Sequence, residues 1–261
     1  MTTTTNTTDA AASAAIYAAT KELRLPVVRS DAARLAELAQ RSQLSYLGFL
    51  AEVLSAEIDL RSERRRQRRV TEARFPRLKR LADFDLGAAP TVNPATISTL
   101  ATCAYLEAGN PVVLLGDSGT GKSHLLIGLG VAACERGKRV RYATCAQLVN
   151  ELAEAADERR LSRLVARYGR LDLLCLDEFG YVKLDARGSE LLFQIMAERE
   201  EKSSIALASN LPFSEWGGVV PDPRLVAAIV DRVTFNAHII ETGTESYRLR
   251  TTKAQGRRKT A

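Results

Sequence analysis

Histidine and cysteine are both scarce in this chain of 261 residues, at two and four, and there is no Cys-x-x-Cys pair or Cys/His cluster. That scarcity argues against a structural or catalytic zinc site. Cys103, Cys134, Cys145 and Cys175 lie far apart in apolar surroundings, so they are expected to be reduced packing residues. No apolar run approaches the length of a membrane span. The Thr- and Ala-rich start lacks the basic and strongly apolar regions of a secretory signal. These absences lead to the expectation of a cytoplasmic protein without membrane contact, large enough to bury a core without disulfides.

The net charge of +6 is concentrated in one place, because residues 61–80 hold ten basic and two acidic side chains. Upstream of that stretch, a helix is expected to start near Ser30 or Asp31 and to turn Leu35, Leu38 and Ala39 inward. A second helix carries Leu47, Leu50, Ala51, Leu54 and Ile58 at helical spacing, continues through Arg64, Arg65, Arg66, Arg68 and Arg69, and is broken by Pro76. Four segments are therefore expected. Residues 1–24 would be a disordered lead-in, 25–80 a small helical domain ending in a basic helix, 81–250 an α/β domain, and 251–261 a basic tail.

Beyond residue 81, short apolar runs alternate with amphipathic helical patterns, the signature of a mainly parallel sheet covered by helices. Five strands are expected, near residues 112–115, 139–143, 171–176, 204–208 and 237–240.

The most specific signal is Gly116-Asp117-Ser118-Gly119-Thr120-Gly121-Lys122-Ser123, which fits G-x-x-x-x-G-K-[ST] at every fixed position. An apolar strand precedes it and a helical run follows. In that setting the glycines let backbone amides wrap around phosphates, and the helix N-terminus adds a favourable dipole. Lys122 would reach the β- and γ-phosphates of ATP, and the Ser123 hydroxyl would ligate Mg2+.

A second signal is the apolar run ending in Asp177-Glu178. Asp177 would hold the Mg2+ through water, and Glu178 would polarise an attacking water. A carboxylate placed to activate water favours hydrolysis over transfer by a small-molecule kinase, which must exclude water. Asn210, after the next apolar run, either senses the γ-phosphate or is a turn residue before Pro212. Arg232, in a helical Asp-Arg pair, is either a solvated surface pair or a group that reaches a neighbouring subunit's γ-phosphate, with Arg248 and Arg224 as further candidates.

Taken together, these residues resemble the IstB and DnaC branch of AAA+ P-loop ATPases. The resemblance runs over about residues 30–250. It is carried by Phe75-Pro76, Asp83-Phe84-Asp85, the sequence Gly121-Lys122-Ser123-His124, Asp177-Glu178-Phe179-Gly180-Tyr181, the segment from Ser209 to Trp216, Asp231-Arg232 and Ser246-Tyr247-Arg248. It implies an AAA+ fold preceded by a small all-α domain, with His124 beside the nucleotide. Asn210 would serve as sensor 1, Arg232 as a trans-acting arginine finger and Arg248 as sensor 2. Ser123 stands where the family more often has Thr, a chemically equivalent Mg2+ ligand. Twenty residues follow Glu241, so little or no C-terminal helical lid is expected.

The same resemblance implies ATP-dependent self-assembly on duplex DNA, as a ring or a helix, and capture of target DNA for the transposase of the same element. Arg64, Arg65, Arg66, Arg68 and Arg69 are candidate phosphate contacts because few acids are expected to neutralise them. Arg160, Arg163, Arg167 and Arg170 form a second basic face opposite the apolar stripe Leu161, Leu164, Val165 and Tyr168. The alternative function is a DnaC-like loader of a replicative helicase, whose N-terminal domain would bind protein in place of DNA.

Overall fold

The computed structural model describes residues 3–247. The chain divides into two compact units, Met1–Arg66 and Gln67–Ala261. Arg248 and the basic tail lie outside the described residues.

The first unit contains helix α1 (Thr3–Glu22), helix α2 (Pro26–Arg41) and the start of helix α3 (Tyr46–Ala73). The sequence reading expects a lead-in without structure where α1 lies. The alanines there favour helix, and α1 closes on itself where the Thr20 hydroxyl donates to the Ile16 carbonyl at 2.7 Å. Helix α2 begins at Pro26, four residues before the expected cap, because proline suits the first helical position. Ser30 is thereby inside the helix, where its hydroxyl donates to the Val27 carbonyl.

The apolar stripe expected to face inward on α3 faces outward. Leu47, Leu50, Leu54 and Ile58 are exposed, whereas Val53 and Glu57 are buried. The buried carboxylate decides this rotation. Glu57 accepts the Val27 backbone N–H at 2.9 Å, one of the amides that the first turn of α2 leaves unpaired, and also accepts Arg61 Nε at 3.1 Å. Turning Glu57 outward would orphan that amide.

The second unit is a three-layer α/β/α sandwich. Strands β1 (Val112–Leu115), β2 (Val140–Thr144), β3 (Leu173–Phe179), β4 (Ser204–Ser209) and β5 (His238–Glu241) form one parallel sheet in the order β2-β3-β4-β1-β5. All five agree with the expected strands to within a few residues. On one face lie α4 (Pro94–Ala101) and α5 (Lys122–Glu135), with Leu125, Leu126 and Leu129 packed on Val112, Leu114 and Cys175.

The other face is covered by α6 (Cys145–Asp157), α7 (Leu161–Gly169), α8 (Ala186–Arg199) and α9 (Pro223–Thr234). Strand β1 is fully buried, as a central parallel strand must be. The four cysteines are buried and free, and burial pushes the Cys134 and Cys145 thiols up to about 12, as suits packing residues. Among the described residues no helix is long and apolar enough to cross a membrane.

A candidate nucleotide site at the carboxyl edge of the sheet

Residues 116–123 connect β1 to α5 at the carboxyl edge of the sheet, where a parallel α/β fold gathers its ligands. Gly116 has φ +145°, and a Cβ there would lie 2.5 Å from Thr242 Oγ1 and 2.7 Å from the Gly243 carbonyl. Gly121 has φ +103°, and its Cβ would meet the Phe84 ring at 2.6 Å. Only glycine permits both the backbone angle and the approach at these positions.

The segment after β5 braces the loop. Thr242 Oγ1 donates to the Leu115 carbonyl at 3.1 Å and lies 2.6 Å from Thr120 Oγ1. The Asp117 amide donates to the Gly243 carbonyl at 3.0 Å, and the Tyr247 amide donates to the Gly119 carbonyl at 3.0 Å.

Lys122 opens α5 and is almost fully buried. Its ammonium donates to the Gly116 carbonyl at 2.6 Å and the Asp117 carbonyl at 2.8 Å. Burial lowers its pKa, and the charges of Asp177 and Asp117 only partly oppose this. A desolvated ammonium short of compensating charge favours an incoming anion.

Asp177 is buried at the end of β3, with both oxygens held: Tyr142 Oη donates to Oδ2 at 2.8 Å and the Glu178 amide donates to Oδ1 at 2.9 Å. The two carboxylates belong to the strand itself and do not follow it. A register irregularity between Leu176 and Phe179 accompanies φ +61° at Glu178. A bulge of this kind re-aims a side chain, and Glu178 stands exposed between buried Asp177 and buried Phe179.

Asn210 directly follows β4. Its position is fixed by its neighbours, because the Ser209 hydroxyl bonds both the Leu211 amide and the Leu211 carbonyl. Trp216 Nε1 donates to that carbonyl too, with the indole fully buried 4.3 Å from the Phe179 ring. Asn210 Oδ1 is buried and has no hydrogen-bond partner among the described residues. An orphaned acceptor of this sort costs roughly 1–3 kcal/mol and calls for a ligand or water.

A cavity of about 520 Å³ is lined by Ser118, Gly119, Thr120, Gly121, Lys122, Ser123, His124, Asp177 and Glu178, while Asn210 lies outside its lining. The Ser123 hydroxyl is half-buried and has no protein partner among the described residues, so it is available as a metal ligand. His124 is a wall residue, its Nε2 lying 2.9 Å from the Arg80 carbonyl and its ring edge-on to Phe84 at 5.4 Å.

The same cavity is also lined by Arg77, Lys79, Asp83, Phe84, Asp85 and Tyr247. None of these was assigned to the site from its residue type. The Asp-Phe-Asp pattern at 83–85 is the one signal in the sequence that pointed to this segment.

Arg232 is elsewhere. It lines a cavity with Pro111, Ser203, Ile205 and Asn236, which mark the amino edge of β1, β4 and β5, the end opposite the phosphate loop. There its Nε lies 3.0 Å from Glu200 Oε2 and its guanidinium 4.6 Å from the Phe193 ring centroid. It cannot serve the loop of its own chain.

The expected dearth of acids near the basic helix is also corrected. Arg66 lies 3.7 Å from Glu63, while Arg68 and Arg69 lie 2.7 and 3.2 Å from Glu72. On the second basic face, Arg160 pairs with Glu158 and Arg167 with Glu151. These exposed pairs leave the charge of Arg64, Arg65 and Arg163 without an ion-pair partner among the described residues.

Residues 18–255 match the family described as IstB-like ATP binding protein. A protein of Geobacillus stearothermophilus named for an ATP-binding role in insertion sequence IS5376 is 36% identical over 233 residues, covering 89% of this chain and 93% of that protein. The corresponding IS21 protein of Pseudomonas aeruginosa is 36% identical over 222 residues, covering 85% of this chain and 84% of its own. Among solved structures, AMPPCP-bound DnaA from Aquifex aeolicus superposes with a TM-score of 0.56 at 23% identity, covering 69% of this chain and 55% of that one. This chain thus spans about half the length of that structure, and the likeness concerns the fold alone. DnaI gives a TM-score of 0.52 at 19% identity, covering 62% of this chain and 90% of that chain, again for the fold. With its phosphate loop and five-stranded parallel sheet, the chain belongs to the IstB-like ATP-binding family and has the AAA+ P-loop fold.

Proposed function

We propose that the protein is a DNA-dependent ATPase of the cytoplasm that assembles on duplex DNA and delivers target DNA to the transposase of its insertion sequence. The observation that carries this reading is the convergence of Lys122, Ser123, Asp177 and Glu178 on one cavity, with Asn210 just past the end of the adjoining strand β4. The insertion-sequence names of the relatives favour transposition over helicase loading.

In this reading the amides of residues 116–123 and the Lys122 ammonium hold the triphosphate. Mg2+, held by the Ser123 hydroxyl and through water by Asp177, would supply charge neutralisation at the phosphates. Tyr142 and the Glu178 amide keep Asp177 oriented for that task. Glu178 accepts a proton from the attacking water, and Asn210 uses its otherwise unpaired amide oxygen to orient that water. Arg232, placed at the far end of the sheet, acts on the nucleotide of an adjoining copy, which requires exchange of its Glu200 contact for phosphate.

Hydrolysis that needs a neighbour depends on concentration. The rate per subunit is expected to rise with protein concentration and with added duplex DNA, and an Arg232→Ala protein is expected to bind ATP yet stay at the low rate in both series. A rate independent of both variables would refute the assembly reading. Phosphate transfer to an added acceptor, with no response to DNA, would point to a kinase.

A further inference from the structure

A second cavity, of about 260 Å³, lies at the outer edge of β2 and is lined by Arg69, Glu72, Arg74, Arg139, Arg141 and Arg167 among others. Five guanidinium groups thus face one lining carboxylate. Strand β2 is the end strand of the sheet, so this edge carries no further strand among the described residues. We infer that this edge groove binds the backbone phosphates of duplex DNA. The inference rests on the DNA-binding reading above and gives that reading a location.

Three observations support it. Arg139 is held in place before any ligand arrives, just ahead of Val140 where β2 begins, with Arg141 inside the strand. Asp172 accepts the Arg139 backbone amide at 2.6 Å and its Nε at 3.2 Å. Burial would raise the Asp172 pKa, but the Arg139 contacts outweigh it and lower the pKa, keeping the anchor ionised.

Secondly, the protein leaves hydrogen-bonding capacity unused. The side chain of Arg141 is only 15% exposed and its one acid, Glu151, is 3.8 Å away. Among the described residues the buried Nε atoms of Arg141 and Arg69 lack an acceptor, although Arg69 also pairs with Glu72, and Arg74 has no acidic partner. The planar forks of guanidinium groups match phosphate oxygens.

Thirdly, the groove continues. Arg167 also lines a neighbouring cavity of about 440 Å³ together with Arg160, Arg163 and Arg170, facing Glu151, Glu154 and Glu158. Arginines spread over two adjoining grooves, in excess over the acids that line them, suit a polyanion with repeating charge better than a single small anion.

Arg74 is exposed and lies outside the nucleotide cavity, so Arg74→Glu is the variant of choice. Binding of the full-length protein to a fluorescent duplex of arbitrary sequence, with a non-hydrolysable ATP analogue present, would be followed across a salt series. The slope of log affinity against log salt is expected to shrink by about one relative to wild type. Arg74→Lys should restore it, and two unrelated duplexes should lose affinity equally. Unchanged analogue binding would confirm that the variant is folded. A wild-type slope in Arg74→Glu would overturn the inference while leaving the DNA reading intact, and is also the result expected if the groove holds an acidic protein segment. A wild-type protein with no salt-dependent affinity for duplex would overturn both.

Discussion

Replacing Glu178 by Gln is expected to lower ATP hydrolysis by about 10²–10⁴-fold, the range for loss of a positioned general base. ATP binding should persist, because Glu178 contributes neither to the phosphate loop nor to the hold on Asp177 beyond its backbone amide. The bulge near the end of β3 gives the prediction its force. A residue other than glycine at φ +61° costs roughly 1–3 kcal/mol, a strain that persists only where the surroundings impose it. Here the strain turns a carboxylate out of a buried strand and into the nucleotide cavity. Glutamine can occupy the same backbone and hydrogen-bond water but cannot take its proton, so the variant should accumulate in the ATP-bound form. Single-turnover measurement with an independent ATP-binding assay separates the two effects. A rate within a few-fold of wild type would remove Glu178 from the chemistry.

The second large effect is expected from Gly116→Ala. An added Cβ would sit 2.5 Å from the Thr242 hydroxyl and 2.7 Å from the Gly243 carbonyl, and the latter is backbone that cannot swing aside. Adding the cost of a left-handed backbone, about 1–2 kcal/mol, to an overpacking cost of about 1–3 kcal/mol gives a loss of roughly 2–5 kcal/mol. The melting temperature should fall on the order of 10 °C. Nucleotide binding should suffer as well, because the clash separates the phosphate loop from the strap after β5 that braces it. A variant that melts like wild type and binds ATP normally would show that the strap contact is dispensable.

Much of this site is legible in the sequence because its chemistry is local. The phosphate loop is one uninterrupted segment, and a strand before it with a helix after it can be recognised from short apolar periods. Asp177 and Glu178 are likewise adjacent in the chain. What a linear pattern does not carry is the identity of the walls. Phe84, Arg77 and Lys79 reach the cavity only because the segment before α4 folds back over α5, and Thr242 reaches the loop only because β5 pairs beside β1. Tyr142 becomes the partner of Asp177 through the pairing of β2 with β3, which puts Thr144 opposite Asp177.

The helical unit shows a different failure. Leu47, Leu50, Leu54 and Ile58 make a plausible inward stripe by periodicity, yet a single buried glutamate outweighs them by satisfying the first turn of α2. Apolar spacing counts residues but does not count unpaired backbone amides. The bulge at the end of β3 is similar, since Leu173 to Leu176 reads as an ordinary strand and only the pairing with β4 reveals where the register slips. Arg232 illustrates the opposite case. Its residue type allowed either a surface pair or a finger, and its place at the amino edge of the sheet removes any action on its own loop.

Titration of ATP into wild-type and Lys122→Ala proteins, each with duplex DNA and observed in parallel for assembly, tests most directly whether a gripped triphosphate organises this molecule. Removing the buried ammonium should cost about 2–5 kcal/mol of nucleotide affinity, a loss of roughly 30-fold or more, and abolish ATP-dependent assembly on the duplex. Wild-type affinity and undiminished assembly in Lys122→Ala would contradict the account.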